Sequence, residues 1–158
     1  MNSKSVKQKV LLLTYAFPPL QASESFLSVK AFAKIESYDI DILTINPIEI
    51  GYDLDYSLES YTSANFGKIY RVDTPKWINK KVFRFLRYVP GFPDRFRFFN
   101  NSIIKKTQEI DVGKYELIVS WSTWHSIHIV ASKIKKKFPS VKWLAHLSDP
   151  WADNPFLT

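Results

Sequence analysis

Lys9-Val10-Leu11-Leu12-Leu13-Thr14-Tyr15 is a continuous apolar run, stopped by Pro18-Pro19. A strand with one wet face alternates apolar and polar residues, whereas a strand covered on both faces does not. This run therefore predicts a buried strand of a parallel sheet. Four more strands follow from similar runs: Asp39–Ile45, ended by Asn46-Pro47; Ile69–Val72, before Pro75; Glu116–Ser120; and Val141–Leu147.

The segments between them read as helices. Ser23 is a candidate N-cap with Glu24 in the first turn, where a negative charge suits the helix dipole. Phe26, Val29 and Ala33, with Phe32 alongside, then give an apolar face up to about Glu36. Residues 48–67 show no clean period and predict a loop with a short helix. In Trp77–Val89, Ile78, Val82, Phe85, Leu86 and Val89 share one helical face, and Lys80, Arg84 and Arg87 another. Pro90-Gly91-Phe92-Pro93 breaks that helix, and a second aromatic and basic segment runs from Arg95 to about Gln108. A last helix is expected from about Thr123 to Phe138, with Trp124, Ile127, Ala131, Ile134 and Phe138 buried. Lys133, Lys135, Lys136 and Lys137 lie in its final turns, and Pro139 ends it. Strands alternating with helices predict an α/β fold, a doubly wound parallel sheet with flanking helices in a single domain.

Composition narrows the function. A chain of 158 residues, 46% apolar and 16% aromatic, can bury a real core. It has no cysteine, which excludes disulfides, thiol catalysis and cysteine-ligated zinc. Val10–Leu13 is too short for a signal sequence core, and no segment approaches the roughly 20 apolar residues of a membrane span. The expectation is a soluble or peripheral protein, cytoplasmic, with the inner face of the plasma membrane as its peripheral location. The net charge of +7 is uneven: Lys68–Lys106 holds eleven Lys and Arg against Asp73 and Asp94, leaving the remainder at −2. Such a block implies an anionic ligand or surface.

With strand order 3-2-1-4-5, a crevice opens past the carboxyl ends of strands one and four. Phe17–Glu24, Ser120–His125 and His146–Trp151 fall there. The first loop has the position of a phosphate-binding turn but lacks its glycines. Its free N–H groups can hold an anion or hydroxyl, or the loop is a plain connection. A neutral His125 at the start of its helix can bond a sugar hydroxyl or phosphate, or serve as a cap. His128 falls on the buried stripe and reads as structural. His146 alternates with Leu147 and can face either way. Asp149, between a strand end and Pro150, either accepts hydrogen bonds from ligand hydroxyls or fixes the bend as an Asx turn. The three histidines lack metal-ligand spacing with carboxylates, so no metal site is expected, and no nucleophile elbow is present.

Val10–Tyr15 leading into Phe17-Pro18-Pro19, then a helix, then Tyr115-Glu116-Leu117-Ile118-Val119-Ser120, then Trp143–Trp151 with Ser148-Asp149-Pro150-Trp151, resembles the N-terminal half of retaining glycosyltransferases of family 4. The resemblance covers nearly the whole chain. It implies one Rossmann-like half of a GT-B architecture over residues 1–158, with a basic amphipathic helical insertion at about 76–108. In that family this half binds the acceptor, and a C-terminal domain holds the nucleotide-sugar donor. The chain is therefore expected to bind a saccharide or lipid-linked acceptor, to carry no cofactor itself, and to be inactive without the missing donor domain. The resemblance implies acceptor contacts at Phe17, Pro19, Ala22, Ser23, Glu24, Ser122, Trp124, Ser148 and Trp151, with Asp149 catalytic. Two positions depart from the family. Gln21-Ala22-Ser23 replaces the usual glycine pair, and Ser148 stands where relatives carry a basic residue or His, leaving His125 or His146 as substitutes.

Many such relatives dock on membranes by a basic face. Here Lys80, Lys81, Arg84 and Arg87 can meet anionic headgroups at about 1 kcal/mol each, with Arg95 and Arg97 extending the charge. Trp77, Phe92, Phe96 and Phe98 can insert at the interface. The alternative is a core face with solvated cations. A nucleic-acid-binding module is the competing class, carried by the same basic aromatic block. It is disfavoured because the aromatics follow a helical period. A free-standing nucleotide-binding α/β protein is weakened by the glycine-poor first loop.

Overall fold

The computed structural model describes residues 7–89 and 94–148. Five strands, β1 (Gln8–Leu13), β2 (Tyr38–Ile45), β3 (Ile69–Val72), β4 (Leu117–Ser122) and β5 (Lys142–Leu147), form one sheet of order β3-β2-β1-β4-β5. Every pairing is parallel. The chain has the expected α/β, Rossmann-like, doubly wound architecture, and its strand order is the one assumed in placing the crevice.

Helices α1 (Ser23–Phe32), α2 (Glu59–Asn65), α3 (Lys80–Phe85), α4 (Asn100–Lys106) and α5 (Ser126–Lys137) connect the strands. Alternate residues of the central strands feed two cores. Val10, Leu12, Ile40, Ile42 and Val119 pack with Phe17, Val29 and Phe66 on the α1 face. Leu11, Leu13, Leu43, Ile45 and Ile118 pack with Phe83, Phe96, Phe99, Ile103, Ile127 and Ile134 on the other. Strand β5 forms an edge, and its Leu144 and Leu147 are exposed.

Helices α1 and α3 depart from expectation in phase, whereas α5 buries Ile127, Ala131 and Ile134 as expected. Helix α1 starts one residue earlier than a Ser23 cap requires, with Ala22 as N-cap and no capping side chain, and it ends at Phe32. Its sheet-facing side is Ser25, Ser28 and Val29, while Phe26 is exposed. The Ser28 hydroxyl donates within the helix to the Ser25 carbonyl (2.9 Å) and lies 3.5 Å from the Ala16 carbonyl at the β1 exit.

The predicted helix Trp77–Val89 contracts to α3, followed by a 3-10 turn at Leu86–Tyr88. Asn79 caps it, its Oδ1 accepting from the Lys81 and Val82 amides (3.0 Å each). Ile78 then precedes the helix and does not share its period. Phe83 and Leu86 turn inward and Phe85 turns out. Within the block at about 76–108, Phe83, Phe96 and Phe99 pack into one core layer.

Strand β4 runs two residues past Ser120, and α5 begins at Ser126, with His125 at the N-cap position. Asp94 holds this junction. Its carboxylate accepts from the Ser126 amide (2.9 Å) and hydroxyl (2.8 Å) while also accepting from the Phe96 amide (2.8 Å). One side chain therefore caps two helical segments. No helix among the described residues is long and apolar enough to cross a membrane.

Candidate binding cleft at the strand ends

Because β4 continues to Ser122, the two-residue period of the strand sends Trp121 to the α1 face and Ser120 and Ser122 to the α5 face. The residues expected to form one site are accordingly divided by the sheet.

On the α1 face lies an open cleft of about 590 Å³, lined by Glu24, Leu27 and Lys30 of α1, with Trp121, His146 and Ser148. Its size is that of a small-molecule site. The His146 ring stacks on Trp121, with centroids 3.7 Å apart and planes 3° from parallel. The Trp121 indole N–H donates to Glu24 Oε2 (2.9 Å), and Phe32 meets its ring edge-on at 5.4 Å. The platform is therefore held from two sides. Glu24 is buried in the first turn of α1. His146 Nδ1 is buried without a hydrogen-bond partner among the described residues.

On the α5 face, buried groups saturate one another. The Trp143 indole N–H donates to Ser120 Oγ (2.8 Å), and Ser120 Oγ lies 2.8 Å from His128 Nδ1. His128 Nε2 is 2.9 Å from Ser122 Oγ, which in turn is 3.3 Å from His125 Nδ1 and 3.4 Å from the His146 carbonyl. One proton assignment closes the set. Ser120 donates to Nδ1, the Nε2–H donates to Ser122, and Ser122 donates onward. Burial pushes the His128 pKa down from 6.5 to about 4, with His125 and His146 nearby adding to the shift. His128 is thus a neutral imidazole, and with Ser120, Ser122 and Trp143 it ties β4, β5 and α5 together.

Phe17 is buried edge-on against Phe66 (5.4 Å) and presents no surface to a ligand. Trp124 packs on Phe96, with ring centroids 4.0 Å apart, on the α5 side and away from the cleft. Ser122 is buried in the serine–histidine network. Ser148 binds back to β4, its amide donating to the Ser122 carbonyl (3.2 Å) and its hydroxyl to the same oxygen. Pro19 is half-buried, its carbonyl accepting from the Asp55 amide (2.8 Å). Ala22 and Ser23 form the start of α1, and only Glu24 of that loop reaches the cleft. Asp149 and Trp151 lie outside the described residues, as does Phe92.

In the basic block, Lys80, Lys81, Arg84 and Arg87 are exposed. Arg95 is half-buried, its guanidinium 4.4 Å above the Phe83 ring, and it donates to the Tyr52 hydroxyl. Arg97 lies 4.4 Å over Phe98. Phe96 is fully buried and cannot insert into a membrane, while Phe98 is half-buried against the edge of Trp77. The exposed aromatics beside these cations are Trp77, Phe85 and Tyr88.

Sequence reasoning missed Trp121, which forms the floor of the cleft. The available signal was the alternation Val119-Ser120-Trp121-Ser122, which continues the strand beyond the point where polar residues suggested a stop. Among the described residues, no three His, Cys, Asp or Glu side chains converge as a metal site. No protein-family model matches the chain, and no curated protein sequence matches it.

Proposed function

We propose that this chain is the acceptor-binding half of a retaining glycosyltransferase of GT-B architecture. The observation that supports this reading best is the Trp121–His146 platform, braced by Glu24, at the carboxyl end of a parallel sheet. A flat aromatic surface accepts the C–H face of a sugar ring, and a buried carboxylate beside it accepts hydroxyl protons. Glu24 has the capacity for both, since an ionised carboxylate offers about four lone-pair sites and the indole N–H uses one oxygen.

In this reading an acceptor sugar lies on the platform with one hydroxyl directed towards a donor held by a second domain. Transfer breaks the bond between the donor's anomeric carbon and the leaving nucleotide. The acceptor oxygen forms the new glycosidic bond at that carbon and releases its proton. Asp149, which follows Ser148 in the chain, is the carboxylate that the family resemblance assigns to the reacting end. The glycine-free turn at Pro18–Ser23 fits an acceptor domain better than a nucleotide-binding one, because a diphosphate needs close backbone approach. The chain alone should bind saccharide and not turn it over.

A glycan array probed with the chain tests this. Saturable binding of a saccharide, lost in Glu24→Gln and in Trp121→Ala, is the expected result. An array without saturable binding, alongside oligonucleotide affinity that falls steeply with salt, contradicts it. Location at an anionic membrane face belongs to the same proposal, supported by exposed Trp77, Phe85 and Tyr88 beside Lys81, Arg84 and Arg87.

A further inference from the structure

On the face opposite the cleft, a hollow of about 150 Å³ lies between the 3-10 turn Ile48–Ile50 and α3. Lys80, Arg84, Arg87 and Arg95 line it with Tyr52 and Gly51, and no carboxylate stands among its described lining residues. It shares no residue with the Glu24–Trp121–His146 cleft. Four cations lining one small hollow concentrate positive potential there and attract an anion.

The cations are placed, not merely scattered over a surface. Lys80, Arg84 and Arg87 follow a spacing of four and three, which puts them on one side of α3 and its following turn. Arg95 comes from a different segment. Its guanidinium is fixed over Phe83 at 4.4 Å and within 5.5 Å of the Tyr52 ring centroid, with a hydrogen bond to the Tyr52 hydroxyl. The ion pairs found among the described residues use Lys9, Lys106 and Lys114, and none of these four.

Gly51 completes the wall. Its φ is +73°, and a Cβ there would come within 2.4 Å of Lys80 Cγ. Only glycine allows both this backbone and the lysine stem lying across it. The volume is below the roughly 300 Å³ at which sites for drug-sized ligands begin, so it suits a compact anion.

We propose that this hollow binds a phosphate or diphosphate group. Three guanidinium forks and one ammonium are the side chains that recognise phosphate oxygens. The Tyr52 hydroxyl, already accepting from Arg95, has its own proton left to donate. The group can be carried by a soluble phosphorylated ligand or by a phosphomonoester lipid headgroup, and the hollow reads the same chemistry in both. This site does not depend on the glycosyltransferase reading.

Calorimetric titration with inorganic pyrophosphate, and co-sedimentation with vesicles containing phosphatidylinositol 4-phosphate or only phosphatidylserine, tests the assignment. The variant Arg84→Gln/Arg87→Gln changes exposed residues and leaves the core intact. Lys133→Gln/Lys136→Gln on α5 removes the same charge elsewhere. One-to-one binding of pyrophosphate, weakened about tenfold or more by the first pair and unchanged by the second, supports a soluble phosphorylated ligand. Binding restricted to the phosphoinositide vesicles, with the same pattern of variants, supports a headgroup. Equal losses in both double variants, equal binding to phosphatidylserine vesicles, or no binding to pyrophosphate or phosphoinositide, overturns the assignment.

Discussion

Acidification should weaken the fold through His128 before carboxylates of ordinary pKa begin to protonate. Its ring is wedged between Ser120 and Ser122, and its pKa falls from 6.5 to about 4 because burial penalises the imidazolium. Above pH 6.5 the ring is neutral in both folded and unfolded chains, so pH has no leverage. Between 6.5 and about 4 the unfolded chain binds a proton that the folded chain refuses, and stability falls as pH falls. At about 1.36 kcal/mol per pH unit the ceiling is about 3 kcal/mol. The ring is only partly buried, and solvent screening lowers the expected loss to about 2 kcal/mol. Urea denaturation at pH 7.5, 6, 5 and 4.5 measures it, comparing the parent chain with His128→Gln, which cannot titrate. The parent should lose about 2 kcal/mol more than the variant across that interval, and the two stabilities should converge at the acid end. Parallel losses in the two proteins would refute the reasoning, because His128 would then titrate as freely folded as unfolded.

Asp94→Ala removes the acceptor for the Phe96 amide and for the Ser126 amide and hydroxyl. Two lost caps at about 1 kcal/mol each should lower stability by about 2 kcal/mol. That corresponds to about 4–8 °C in Tm, read by calorimetry, and Asp94→Asn should recover about half of it. Phe83→Ala and Phe85→Ala separate the observed phase of α3 from the one its apolar spacing suggests. Phe83 is 1% exposed and should cost about 3–5 kcal/mol. Phe85 is 64% exposed and should cost no more than about 0.5 kcal/mol in the same urea titrations.

Those two phenylalanines also mark where a sequence stops being informative. Val82, Phe83, Phe85 and Leu86 are all apolar, so several helical phases satisfy the pattern within six residues. The choice is made by distant partners, Phe96 at 5.2 Å and Phe99 at 5.9 Å from Phe83, which no local period contains. The sheet is different. Its apolar runs at β1, β2 and β4 mark strands covered on both faces, so the strand identities follow from the residues, while their order is an assumption until the pairings supply it.

Helix α1 lies between these cases. Its register is set by the Pro18–Leu20 turn and by close packing through Ser25 and Ser28, which a search for large apolar residues passes over. At the candidate site, Glu24, His146 and Ser148 are recognisable because polar residues at strand ends are conspicuous. Trp121 is not, because its role depends on β4 extending two residues past its first serine and on an acid brought from 97 residues away.

The central claim, that the Glu24–Trp121–His146 cleft receives a saccharide, is tested most directly by the indole N–H resonances of the isotopically labelled chain. The Trp121 signal, assigned by its loss in Trp121→Phe, should shift saturably on titration with a saccharide selected from the array, and that response should vanish in Glu24→Gln. A Trp121 signal that stays fixed against every saccharide, while the Trp77 signal moves with oligonucleotide, would contradict the account.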